Sequence, residues 1–415
     1  MIENTLRELR FLWQQTPSMV ALGLLVVLSA ASLLLGRAEI LRQQDAIERV
    51  RVMDEAERAA LVDTFADYGS AAYYNFYGTW DEPSDLAFTA IGQRDVAPYM
   101  LRVRMLALEG QIYETDSLNP ELGLSGRFDY EFVIAFLLPL FVVFLLYDLI
   151  ASERESGRLP LLIATAGSAA RLWVPRAALK ALAVLIGVLL PFWAIAVGDG
   201  VGPGQALRVS LIVIAQITFW SALTLWLGRS ERPSSVIAAT AVSAWLVLSL
   251  LVPLVAKTVV DRVSPVVDGA DISLLQRETV NAAWDLPKSA TMDRFFEAHP
   301  EWSNTRPITE QWHWKWYYAF QHVGDMTAEE LSTAYRRSIA ERDRLSGFAA
   351  FLSPAVAVQR AMQQAARTDV TAALEYDQRI RDYHASLRRF YYPRLFEERA
   401  FHAEDLAGAP SFDSD

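Results

Sequence analysis

Five separate runs of about 20 apolar residues constrain this 415-residue chain more than any other feature. A bilayer core of about 30 Å is crossed by about 20 helical residues, because each residue rises about 1.5 Å. The first run, Ser18 to Gly36, reads SMVALGLLVVLSAASLLLG and carries no charge. The others cover Phe132 to about Ile150, Ala177 to Val197, Leu207 to Leu227 and Ser235 to Ala256. Lys180 and Arg208 fall within a turn of a span end, where a long side chain snorkels to the headgroups. Bulk composition does not decide the matter, since 53% hydrophobic and 21% charged residues sit at the edge of the soluble range. Clustering decides it. A single run fits a buried core helix of a soluble protein, but five of this length predict an all-α polytopic membrane protein.

The first run differs from a cleaved leader. No small-residue cleavage site follows it and Arg37 to Glu39 come directly after, so an uncleaved anchor is expected, a first span over residues 18–36. Upstream, Leu6, Leu9 and Trp13 share a helical stripe that excludes Arg7 and Glu8, the pattern of an interfacial helix over residues 1–16. Orientation follows from the Lys/Arg bias of short loops. The 151–176 loop holds Arg154, Arg158, Arg171 and Arg176, and the next loop on that side holds Arg229 and Arg232. The 198–206 loop holds no Lys or Arg, and Arg7 and Arg10 precede the first span. This bias puts the N-terminus and the 151–176 loop inside, with residues 37–128 and 257–415 outside.

Residues 37–68 read as a helix continuing the first span, with an apolar stripe through Ile40, Ile47, Val50, Leu61 and Phe65. Turn signals follow at Asp81-Glu82-Pro83, Asn119-Pro120 and Gly123/Gly126, and YMLRVRMLAL between them fits a strand or a helix. The second outside region is expected to hold two helices after a loop. One covers about Thr327 to Asp343, opened by a capping box of Thr327 and Glu330; the other covers about Val370 to Phe390. Between them, GFAAFLSPAVAV is apolar but too short to span, and reads as a buried or interfacial segment. Both outside insertions are thus mainly α-helical. The most aromatic stretch, Trp312 to Tyr318 with Trp314 and Trp316, fits core or a belt at the membrane surface; it also fits an extracytoplasmic ligand or partner surface.

The chemistry open to the chain is narrow. There is no cysteine, so no disulfide and no thiolate site. With a net charge of −11 and no basic block, nucleic acid is not expected as a partner. No GxxxxGK[ST] loop is present, so the chain does not hydrolyse ATP alone, and no bound cofactor is expected. The five histidines form no HExxH and no pair at helical ligand spacing, so no metal site is expected either. The middles of the spans hold no ionisable residue, which argues against an ion-coupled carrier. Gln216, Thr218, Ser221, Ser243 and Ser249 are the polar groups there, read as interhelical hydrogen bonds. Pro139, Pro191 and Pro253 are expected to kink their spans.

The sharpest local motif is the inside loop. Ser152-Glu153-Arg154-Glu155-Ser156-Gly157-Arg158-Leu159 crowds charge at the end of a span, breaks at Gly157 and leads into a short apolar helix around Leu159 to Thr165. Through Ser152, Glu153, Arg154, Glu155, Gly157, Leu159 and Leu162 it resembles the S-E-R-E-x-G-x-L-x-x-L stretch of permease subunits of type-2 ABC transporters. Asn119, Pro120, Gly126, Phe128 and Asp129 before an LLPL span resemble the same family. Leu352-Ser353-Pro354 resembles its branch with large extracytoplasmic insertions.

The resemblance implies a permease of an exporter in the inner membrane, paired with a second permease copy and with cytoplasmic ATPase subunits that carry ATP and Mg. In that setting Glu153, Arg154, Glu155, Gly157, Leu159 and Leu162 lead into and form the coupling helix that docks on the ATPase. Family members have six spans, whereas five are read here. The rival reading from the residues alone is a membrane-anchored sensor or assembly protein whose outside domains bind a partner. A lipid-modifying enzyme lacks candidate catalytic groups.

Overall fold

A computed structural model describes residues 14–113, 128–266 and 268–412. The chain is an all-α polytopic membrane protein with five helices long and apolar enough to cross a bilayer. Helix α1, Thr16–Leu61, is unbroken over 46 residues, so the first span runs straight on into the polar segment beyond Arg37. Its buried positions Leu25, Ser29, Ser32, Leu33, Gly36, Ile40, Gln43 and Ile47 recur at three or four residues and form one stripe. At Gly36 the Phe88 carbonyl comes so near that a β-carbon would lie 2.1 Å from its oxygen, so only glycine admits this crossing. After α1 come a short helix α2 (Tyr68–Tyr74) and two antiparallel strands, β1 (Tyr77–Trp80) and β2 (Met100–Val103), paired Tyr77 to Val103 and Trp80 to Met100. Helix α3 (Leu108–Tyr113) closes this segment. Thus YMLRVRMLAL divides into a strand and the start of a helix.

The remaining spans are α4 (Tyr130–Glu155), α6 (Ala169–Gly198), α7 (Pro203–Gly228) and α8 (Ser234–Val263), with a short helix α5 (Leu159–Ala166) between α4 and α6. One apolar core joins them through Val133, Ile134, Leu138, Val142, Val188, Phe192, Val209, Val213 and Trp220. Large apolar side chains such as Leu24, Leu34, Leu190, Leu254 and Val263 face outward at the bundle surface, which hydrocarbon tolerates and water does not. Lys180 spends its ammonium inside the protein, donating to the Leu145 carbonyl at 2.7 Å near the end of α4.

Past α8 the chain forms α9 (Gly269–Ala282), α10 (Lys288–Ala298), α11 (Trp314–Ala349), α12 (Pro354–Ala366) and α13 (Val370–Phe396). Three expectations change here. The stretch read as a loop contains α9 and α10, of 14 and 11 residues. The helix placed at Thr327 begins instead at Trp314, capped by the His313 ring, which accepts the Lys315 N–H at 3.1 Å. Thr327 lies inside that helix, with its hydroxyl turned back onto the Val323 carbonyl at 2.8 Å. Third, residues 37–113 and 268–412 share a single core. Tyr77, Val103, Phe295, Trp316, Tyr318, Tyr383 and Leu387 are buried together, and Asp325 of α11 caps α3 by accepting the Leu108 and Glu109 N–H groups at 2.8 and 3.0 Å. The interfacial helix expected over residues 1–16 falls almost wholly outside the described residues, as do Asn119, Pro120, Gly123 and Gly126.

Candidate functional site

The loop motif becomes a clamp in three dimensions. Arg154 donates to the carbonyls of Gly228, at 3.0 Å, and Ser230, the orphan acceptors at the C-terminus of α7. Glu155 accepts the Ser234 N–H at 2.6 Å at the N-terminus of α8, where the preceding Pro233 offers no cap of its own. Each charge therefore meets the helix end whose dipole suits it, cation on the C-terminus and anion on the N-terminus. Glu153 completes the set, bonded to Arg158 at 2.8 Å and facing Arg176 on α6 at 3.7 Å. Three consecutive charges thus bind α4, α6, α7 and α8 into one plate.

Helix α5 projects from this plate between two left-handed glycines, Gly157 and Gly167, both at φ +74°. Gly157 ends the α4 turn with the paired bonds of a Schellman motif, Arg158 N–H to the Glu153 carbonyl and Gly157 N–H to the Arg154 carbonyl, both 3.0 Å. No neighbour lies within 4 Å of a β-carbon built there, so the backbone conformation alone explains the glycine. Pro160 opens α5 where its missing N–H costs nothing. Leu159 and Leu162 are half-buried against the plate, and Leu161 is 69% exposed on the outward face.

The spans that carry the plate contain two matched joints. In α4 a π-helical segment, Val133–Leu137, precedes Pro139; in α8 a second, Val247–Leu251, precedes Pro253. The sequences VIAFLLPL and VLSLLVPL show the same local recipe. Proline cannot donate to the carbonyl four residues back, and the extra residue of a π turn releases further acceptors. Gln216 of α7 donates to the Ala135 carbonyl at 3.3 Å and Trp245 of α8 to the Phe136 carbonyl at 3.0 Å, so α4 remains satisfied. Pro191 differs from the other two: α6 is helical throughout Ala169–Gly198.

Helix α12 lies against both π segments and α7. Capped by the buried Ser353 hydroxyl, it buries Ala355, Val358, Met362 and Ala366 in the span core, while Phe351 just before it is 87% exposed. The short apolar segment is thus divided: Phe348, Phe351 and Leu352 are exposed, whereas Ala355 and Val358 dock among the spans. Gln363 of α12 donates to buried Glu131, just before the π segment of α4, at 3.0 Å; among the described residues the other Glu131 oxygen has no hydrogen-bond partner. Sequence reasoning missed Glu131 because it sits at the rim of a span.

The aromatic run divides between core and surface. Trp316 is buried against Trp284 and Phe320, at centroid distances of 5.0 and 5.2 Å. Trp314 is half-buried, stacks on Tyr318 and donates to Asp67 at 3.2 Å. Trp312 is 45% exposed and is the member of the trio open to a partner. Beside the run, Lys315 is 1% exposed and donates to Glu398 at 2.6 Å, which holds that carboxyl below the usual glutamate range.

These elements define a class: a helical membrane protein whose spans are bolted together on one side and penetrated by a domain helix on the other. Residues 272–414, beginning within α9, match a family described as a Domain of unknown function (DUF3526). No curated protein and no solved structure matches the chain.

Proposed function

We propose that the chain is the membrane-spanning permease subunit of an ATP-binding-cassette exporter. It lies in the inner membrane with its N-terminus and α5 on the cytoplasmic side, and pairs with a second permease copy. A separate cytoplasmic subunit binds ATP and Mg and hydrolyses the nucleotide. The observation that carries this reading is the clamp of Glu153, Arg154 and Glu155. It makes α5 a rigid handle: a push on Leu161 reaches α4, α7 and α8 together rather than one loop. The two π joints lie farther along α4 and α8, and α12 rests on both. Motion of the plate is thereby converted into motion of the domain. The placement of arginines in the 151–176 and 228–234 loops supports the orientation.

The test is co-purification with a co-expressed ABC ATPase subunit, using the full chain in nanodiscs. Leu161→Asp, which changes an exposed position, and the double variant Glu153→Lys/Glu155→Lys should each lower ATPase recovery at least tenfold while the chain stays folded. Recovery of the ATPase by Leu161→Asp at wild-type level with normal turnover would sink the assignment and favour the membrane-anchored sensor reading.

A further inference from the structure

We propose that His299 and His322 are the protein ligands of an open site for a divalent first-row transition metal in the domain. They arrive from different elements, His299 at the end of α10 and His322 in the third turn of α11, and their Nε2 atoms lie 3.2 Å apart. With metal–nitrogen bonds of about 2.0–2.1 Å, that separation subtends about 100° at a shared metal, between the square and tetrahedral angles.

The far side of each ring is also held. His299 Nδ1 lies 3.1 Å from Glu301 Oε1, and His322 Nδ1 lies 3.3 Å from the Tyr392 hydroxyl. A carboxylate only accepts, so the His299 proton sits on Nδ1 and Nε2 offers a lone pair toward His322. A carboxylate behind an imidazole is the arrangement that orients metal-bound histidines. Without metal, His322 Nε2–H donates to His299 and Tyr392 O–H donates to His322 Nδ1. Metal binding moves the His322 proton to Nδ1, where the Tyr392 oxygen accepts it, and the pair releases no net proton.

Arg388 lies close enough to His322 to repel a bound cation. Arg388 is itself paired with Asp325, which offsets its repulsion. His384 is committed elsewhere, with Nε2 on the Arg104 carbonyl at 3.0 Å. Rings of Phe295, Trp302 and Tyr392 wall the pair at centroid distances of 4.7, 5.0 and 5.7 Å from His299. Among the described residues no cluster of three His, Cys, Asp or Glu forms, so the remaining coordination positions fall to water or to an oxygen or nitrogen ligand from outside. Imidazole donors without thiolate favour Cu(II), Ni(II) or Zn(II), with Cu(II) bound most tightly.

The probe is CuCl₂ or ZnCl₂ alone, titrated by competition with a colorimetric chelator into the full chain purified on a histidine-free tag, without any ATPase. One equivalent should bind, with two-nitrogen hyperfine structure in the Cu(II) resonance spectrum. His299→Gln and His322→Gln should each weaken binding at least tenfold, Glu301→Gln about tenfold, and His402→Gln not at all. A wild-type chain that binds no stoichiometric metal makes the pair a plain hydrogen bond and overturns the proposal. So does a His299→Gln chain that binds as well as wild type, and this partly exposed position decides the matter should His322→Gln misfold.

Discussion

Arg154→Ala tests whether the plate is held by its charges. The guanidinium donates to Gly228 and Ser230 carbonyls at the end of α7, and no other side chain is bonded to those two acceptors among the described residues. A hydrogen bond to a charged group contributes about 1.5–3 kcal/mol. Water at the membrane surface can replace part of it, so the lower end applies and the pair contributes about 3 kcal/mol. At about 1.4 kcal/mol per tenfold, local opening of the 228–234 loop should become about 100-fold more frequent. Hydrogen–deuterium exchange of peptides spanning residues 226–236 in nanodiscs reads this directly. Arg154→Lys keeps the charge but loses the fork, and should recover about half of the protection in free-energy terms. Protection unchanged within about threefold in Arg154→Ala would refute the clamp. Equal loss across 203–215 would do so too, since it means global rather than local loosening.

Other outcomes follow from the packing. Met362→Ala, at a fully buried position where α12 meets the spans, should destabilise by about 2–5 kcal/mol in a denaturant titration, while Leu352→Ala at an exposed position stays within about 0.5 kcal/mol. Thr327→Ala should likewise stay within about 0.5 kcal/mol, because a true cap would cost about 1 kcal/mol and this threonine is mid-helix. Gln216→Leu should cost about 0.6–1.7 kcal/mol in the bilayer, and less in a Pro139→Ala background, where the Ala135 carbonyl regains a backbone donor. Glu398 has its folded pKa depressed by Lys315, so its stabilisation is full above the ordinary glutamate pKa and is lost as pH falls through the folded value. Glu398→Gln should therefore flatten the acid side of the stability profile below about pH 4.5 and leave its neutral slope unchanged.

The spans were legible because length and apolarity are local properties: Ser18 to Gly36 needs no partner to be recognised. The continuation of α1 past Arg37 was legible for the same reason. Pro139 and Pro253 signalled disturbance, although the form it takes, a π turn satisfied by Gln216 and Trp245, depends on neighbouring helices. The Thr327/Glu330 pattern misled because a capping box is a local signature that any continuous helix can contain. Glu153 to Glu155 were visible as a charged cluster, but the partners of Arg154 and Glu155 lie more than 70 residues away in the 228–234 loop. His299 and His322 carry no common spacing rule, and only the fold of α10 against α11 brings their rings together. The shared core of residues 37–113 and 268–412 was hidden for the same reason, since four helices of span length separate its parts.

The unbroken course of α1 sets a scale for motion. At about 1.5 Å per residue its 46 residues measure about 69 Å, more than twice a bilayer core. The part beyond Arg37 is then an arm of about 37 Å fixed to a membrane pivot. A tilt of only about 10° at the pivot carries the far end of that arm through about 6 Å, roughly the pitch of one helical turn. Small angular changes among the spans are therefore read out as ångström-scale displacements in the domain, with no hinge needed between them.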